Sequence, residues 1–184
     1  MGALLDPSDA ILLVLASPEA THLDAGPPRA AQIQVITRAA TACVVPTFEI
    51  QFTSIRAPAA QSSASASPLP SHAIYSLDVE APDWSATPLG LHIAKTNRTS
   101  LLVVGYWLEE AVTFVVLRAL SHSYKVYVVL DATPAENSEA GDAARQRLVF
   151  AGAVPTTTHQ VLREWAATTS DPRSRQALLA LRTA

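Results

Sequence analysis

The chain is poor in cysteine, in charge and in long apolar runs, and each shortage closes off a class of protein. Of its 184 residues one is cysteine, Cys43. A single thiol makes no intrachain disulfide, and the paired C-x-x-C spacing of zinc and redox sites is absent. A domain of this length removes about 70% of its unfolded surface from water, so it needs neither staple. Asp, Glu, Lys and Arg together supply 16% of the residues, against roughly 25% in an average soluble domain. So thin a polar surface points to a homo-oligomer, a dimer or larger, that hides one face of each subunit. The 13 Lys and Arg are scattered and give a formal net charge of −3, which leaves no basic footprint for nucleic acid. The densest apolar run, residues 11–16, is far shorter than the roughly 18 residues that span a bilayer. Asp6 and Asp9 stand where a transit peptide would be basic, and Asp6 also breaks the myristoylation pattern begun by Gly2. The expectation is a soluble intracellular protein, cytoplasmic and not secreted, with no membrane partner. The sequon Asn97-Arg98-Thr99 is then a chance match.

Residues 10–16, bounded by Pro7 and Pro18, form a continuous apolar run, the pattern of a strand buried on both faces. Ile33, Ile36 and Ala40 recur at helical spacing within 29–42, a crossover helix, and residues 46–52 alternate with period two as a strand. Residues 56–71, rich in Pro, Ala and Ser, predict a flexible surface loop. A short strand over 73–77 and a helix over 87–96 precede a second buried strand over 100–104, which ends at Gly105. An apolar helix over 111–120, expected to be buried, leads to a strand over 125–130 closed by Asp131. A helix over 140–150 stops at Gly152; an edge strand over 154–157 and helices over 161–167 and 174–181 complete the chain, the last opening after Asp171-Pro172. This alternation predicts one α/β domain over 1–184, a three-layer α/β/α sandwich around a Rossmann-like, mostly parallel sheet of about six strands. Ligands in such folds sit at the carboxyl ends of the strands.

Leu101-Leu-Val-Val-Gly105, Glu110-Ala111-Val112, residues 125–131 with Ala132, and Arg147-Leu148 running to Ala151-Gly152-Ala153 resemble, in order and spacing, the isochorismatase-like family of cysteine hydrolases. The N-terminal run and the closing Asp171-Pro172-Arg173 helix resemble its compact eukaryotic branch, that of isochorismatase domain-containing proteins and trypanosomatid MAR1. The resemblance implies a three-layer sandwich, often oligomeric, and a catalytic set of an Asp base, a Lys and a Cys nucleophile. The chemistry explains the set: a thiolate attacks a carbonyl, a carboxylate takes its proton, and a cation favours both thiolate and developing anion. Carried over by resemblance, these positions fall on Ala16, Leu77 and Ala111. None bears a proton, lone pair or charge for the task. A family variant that works without the Cys, by acid catalysis on an enol ether, keeps the Asp, which here is Ala16. Cys43 is expected at the end of the sheet opposite the ligand edge.

The leading expectation is therefore a pseudoenzyme with a binding or assembly role, without cofactor, and with room for a small-molecule ligand. The alternative is a divergent hydrolase of small amides, esters or enol ethers that uses carboxylates in the same pocket. The candidate pocket residues are Ser17, Asp78, Trp107, Leu108, Glu109, Glu110 and Asp131. Glu109 and Glu110 suit a helix start electrostatically, or Glu109 pairs with Asp78 or Asp131 as acid and base. Asp131 alone reads as a strand terminator that caps the next turn. Trp107 at the rim fills the pocket or stacks on a flat ligand, whereas Trp84 and Trp165 read as core or interface anchors. Ser17 and Ser76 neighbour two of the resemblance-derived positions and read as backbone hydrogen-bonders. The histidines at 22, 72, 92, 122 and 159 are never spaced as a metal pair on one helix. A third reading is an inactive subunit in a hetero-oligomer with a catalytic relative.

Overall fold

Apolar strands with no polar face need cover on both sides, and the architecture supplies it. The computed structural model describes residues 4–16, 27–52, 73–77 and 84–182; the loop expected over 56–71 lies outside them. The first buried run is β1 (Ala10–Ala16), followed by α1 (Pro27–Ala42), β2 (Thr47–Phe52) and β3 (Ala73–Leu77). Then come α2 (Pro88–Lys95), β4 (Ser100–Gly105), α3 (Thr113–Ser121), β5 (Lys125–Val129), α4 (Ser138–Ala151), β6 (Val154–Thr156), α5 (Thr158–Thr168) and α6 (Pro172–Leu181). The strands lie in the order β3-β2-β1-β4-β5-β6 and every neighbouring pair is parallel. Five of them have five to seven residues, and β6 is a three-residue edge strand.

Alternate residues of the central strands feed two cores. Ile11, Leu13, Leu15 and Val103 pack against Leu89 and Ile93 of α2, Val115 and Val116 of α3, and Leu148 of α4. On the other face Leu12, Val14, Leu102 and Val104 pack against Ile36 of α1, Leu162 and Trp165 of α5, and Leu178 of α6. This is the expected three-layer sandwich. Local signals set the helix ends. The Thr87 side chain accepts from Gly90 N at 3.1 Å and Asn137 Oδ1 from Ala140 N at 2.8 Å. Asp171 accepts from Arg173 N and Ser174 N, with Pro172 in the first turn, and α4 stops where Gly152 turns left-handed. Among the described residues no helix is long and apolar enough to cross a membrane.

From β1 the chain moves outward to β2 and β3, then returns to lay β4 on the other flank of β1. The crevice at such a switch point, between the carboxyl ends of β1 and β4, is where open α/β sheets place ligands. The amino ends of the same two strands are clamped. Asp9 accepts from Thr99 N (2.7 Å), Thr99 Oγ1 (2.8 Å) and Ser100 Oγ (2.8 Å), while the Arg98 guanidinium donates to the carbonyls of Pro7 and Ala10. Burial pushes the Asp9 carboxyl up, but these hydrogen bonds and the Lys125 charge outweigh it and hold the group below its ordinary value.

A carboxyl held below its unfolded value stabilises the fold above that value, about 3.9 for Asp; the contribution is lost as pH falls through the folded one. Asp9→Asn is thus expected to cost about 1–2 kcal/mol at pH 7, with the gap from wild type narrowing in urea titrations near pH 3. A gap of the same size at both pH values would refute the clamp.

Candidate functional site

The parallel register brings the resemblance-derived positions to one edge of the sheet. Ala16 is the last residue of β1, opposite Gln51 of β2, and Leu77 is the last of β3, opposite Phe52. Gly105 ends β4 opposite Leu15. Its φ is +118°, and a Cβ there would lie 2.0 Å from the Leu15 carbonyl oxygen, so only glycine fits. Beyond it Tyr106 N donates to Leu15 O at 3.1 Å, and the Tyr106–Trp107 peptide is cis. Residues Leu108–Val112 form a π turn that runs into α3. Its wide hydrogen bonds are Val112 N to Trp107 O at 3.2 Å and Thr113 N to Leu108 O, with Thr113 Oγ1 donating to the same Leu108 carbonyl at 2.5 Å. Such one-turn bulges recur at functional sites. Ala111 sits in this turn, 3% exposed, packed with Leu108 and Val112 in the core.

The loop after β5 closes over the turn. Leu108 N donates to Pro134 O at 2.9 Å and Glu136 N donates to Glu109 Oε1 at 2.7 Å. The second Glu109 carboxylate oxygen, Oε2, is buried and has no hydrogen-bond partner among the described residues. Glu110 is exposed. Trp107 is half-buried and meets Tyr106 edge-on, with ring centroids 5.6 Å apart; burial raises the Tyr106 phenol above its ordinary value.

Asp131 goes elsewhere. Its Oδ1 accepts from Thr158 N at 2.8 Å and from Thr158 Oγ1 at 3.1 Å, so it anchors the first residue of α5 rather than capping the turn that follows it. α5 belongs to one core and the Glu109 turn to the other. The two carboxylates therefore hold different elements on opposite faces of the sheet, and the pairing of Glu109 with Asp131 is not assembled. Ser17 and Asp78 lie outside the described residues, as do the side chains of Leu77, Ser76 and Trp84. Trp165 is a core residue, fully buried. Cys43, between α1 and β2, lies at the amino ends of the strands as expected, and burial raises its thiol despite a hydrogen bond with Ser174. What sequence reading missed is the π turn and the tie from Glu109 to Glu136; neither leaves a periodicity to read.

Residues 81–160 match the family model of the isochorismatase domain. That stretch contains the motifs between Leu101 and Ala153. No curated protein matches the chain. Among solved structures, YcaC from Pseudomonas aeruginosa with hexane-2,5-diol and covalent acrylamide is similar at a TM-score of 0.75 and 22% identity, over 97% of this chain and 91% of that one. The Escherichia coli YcaC gene product, described as an octameric hydrolase of unknown specificity, is similar at 0.75 and 22%, over 98% and 89%. The MAR1 ribonuclease from Caenorhabditis elegans follows at 0.74 and 15%, over 99% and 93%. The resemblance read from the motifs holds, and the fold is isochorismatase-like.

The close approach at Gly105 makes a sharp test. Gly105→Ala is expected to lose more than about 3 kcal/mol, through clash and a disfavoured φ together, or to fail to fold. Thermal and urea unfolding read it, and a variant with wild-type stability would contradict the geometry.

Proposed function

We propose that this chain is a pseudoenzyme on an isochorismatase-like fold, with a binding or assembly role as a homo-oligomer. The observation that carries the reading is Ala111. By resemblance it holds the nucleophile position, and it sits buried among apolar side chains in the π turn at the switch-point edge. A methyl group there attacks nothing. Ala16, at the base position on the neighbouring strand, accepts no proton, and Leu77, at the lysine position, supplies no charge to stabilise an oxyanion. Residues that act as a unit lose nearly all catalysis when one is removed, and here all three are replaced. Self-association draws support from the low charge content and from the octameric description of the Escherichia coli relative. The ribonuclease name of the worm protein is not carried over, because a net charge of −3 with scattered Lys and Arg gives a phosphate backbone little to hold.

One observation favours the second reading, a divergent hydrolase of small amides, esters or enol ethers. Glu109 Oε2 is a buried carboxylate oxygen without a partner among the described residues, and such an atom is costly unless something donates to it. A substrate N–H or O–H would satisfy it, and a carboxylate so placed can act as a base.

Mass-spectrometric turnover of a pooled panel of small amides, esters and enol ethers separates the two readings. The pseudoenzyme predicts silence from wild type and from Glu109→Ala alike. Turnover by wild type that disappears in Glu109→Ala would overturn it and name the substrate class.

A further inference from the structure

A groove of about 640 Å³ opens at the amino ends of β5 and β6, the end of the sheet away from Gly105 and the π turn. Small-molecule sites occupy roughly 300–1,000 Å³. Side chains alternate along β5, so Lys125 and Tyr127 fall on one face, where Tyr127 packs on the core that α5 shares. From α5, Gln160 and Glu164, one turn apart, line the same groove. Leu4, 57% exposed, and Val154, 45% exposed, add apolar wall.

The groove thus holds one ammonium and one carboxylate beside exposed apolar side chains, and the two charges do not meet. Among the described residues Lys125 makes no ion pair and no side-chain hydrogen bond. Its charge reaches Asp9, but the Asp9 oxygens are already taken by Thr99 and Ser100. Glu164 accepts one bond at each oxygen, from Leu5 N at 2.7 Å and from Gln160 Nε2 at 3.1 Å. These bonds orient the carboxylate and leave each oxygen a lone pair for a further donor. Burial raises the Tyr127 phenol, and the Glu164 and Asp9 charges raise it further, so its O–H stays neutral at the groove wall.

Opposite charges fixed apart in one groove select their ligand. An anion that pairs with Lys125 meets the Glu164 charge, a cation on Glu164 meets the Lys125 charge, and a neutral apolar molecule leaves both without a partner. We infer that this groove binds a small zwitterion with an apolar body, its carboxylate accepting from Lys125, its ammonium donating to Glu164 and its body against Leu4 and Val154. The site stands whether or not the switch-point edge does chemistry.

Two-dimensional amide NMR of the full chain, titrated with free phenylalanine and free leucine, tests it. Both are expected to shift the amides of Lys125, Tyr127 and Gln160 saturably and to leave Gly105 in place. Hydrocinnamate, which lacks the ammonium, and phenethylamine, which lacks the carboxylate, are each expected to bind about tenfold or more weaker than phenylalanine. Lys125→Met and Glu164→Gln are expected to weaken phenylalanine by a similar factor while keeping the wild-type circular dichroism spectrum, and Lys125→Arg to retain it. No saturable shift with either amino acid overturns the site. Binding that both variants preserve overturns its residues, and an analogue that binds as tightly as phenylalanine overturns the zwitterion.

Discussion

The backbone contact between Leu15 and residue 105 governs the carboxyl edge of the sheet. β1 and β4 are buried on both faces and pair along their whole length, so neither can shift to relieve a clash. Where they end, the Leu15 carbonyl leaves no room for a Cβ on β4. Glycine at 105 lets the chain turn at once, Tyr106 N takes the same carbonyl, and the π turn starts three residues after the strand. The Pro134 and Glu136 contacts then seal the loop after β5 over that turn. Backbone groups and one glutamate do this work. The side chains at 16 and 111 take no part in it.

That division leaves the fold of this edge independent of any chemistry at positions 16 and 111. A buried thiolate or carboxylate costs several kcal/mol unless it is paired, so a catalytic set stabilises its site only when complete. Once one member is gone, the charges that remain are liabilities, and small apolar replacements remove them at little cost in packing. On the proposed reading, Ala111 among Leu108 and Val112, with Ala16 on the adjoining strand, is that outcome. Glu109 stands apart because one of its oxygens has a structural duty to Glu136 N, which keeps a carboxylate at the edge whether or not the edge does chemistry.

Much of this was legible in the sequence, for reasons that differ by element. β1 was readable to the residue because a seven-residue apolar run between prolines has no other stable use, and β4 because the same pattern stops at a glycine. The start of α6 was readable from Asp171-Pro172, and the end of α4 from Gly152, since caps are local chemistry. The start of α5 was read three residues late, because Thr157 and Thr158 look like loop residues until Thr157 is seen accepting from Gln160 N and Thr158 bonding Asp131. Asp131 reaches 27 residues along the chain, and no local rule anticipates a partner at that distance. The π turn was invisible for a related reason: its five residues, Leu-Glu-Glu-Ala-Val, read equally well as the first turn of an α-helix.

The two ends of the central strand pair carry different kinds of interaction, and the difference decides which end is free to change. At the amino end Asp9 and Arg98 lock β1 to β4 through side chains that each make two or three hydrogen bonds. Charge-assisted bonds of this kind are about twice as strong as neutral ones, so replacing either residue strands several partners together. At the carboxyl end the strands are held by their ladder, by Gly105 and by backbone bonds of the turn. The side chains at 16 and 111 make no hydrogen bond that holds the edge, and substitution at the buried position 111 is limited by volume and by the cost of burying a charge. A change of side chain at position 16 is felt locally, whereas loss of the amino-end clamp would be felt throughout the sheet.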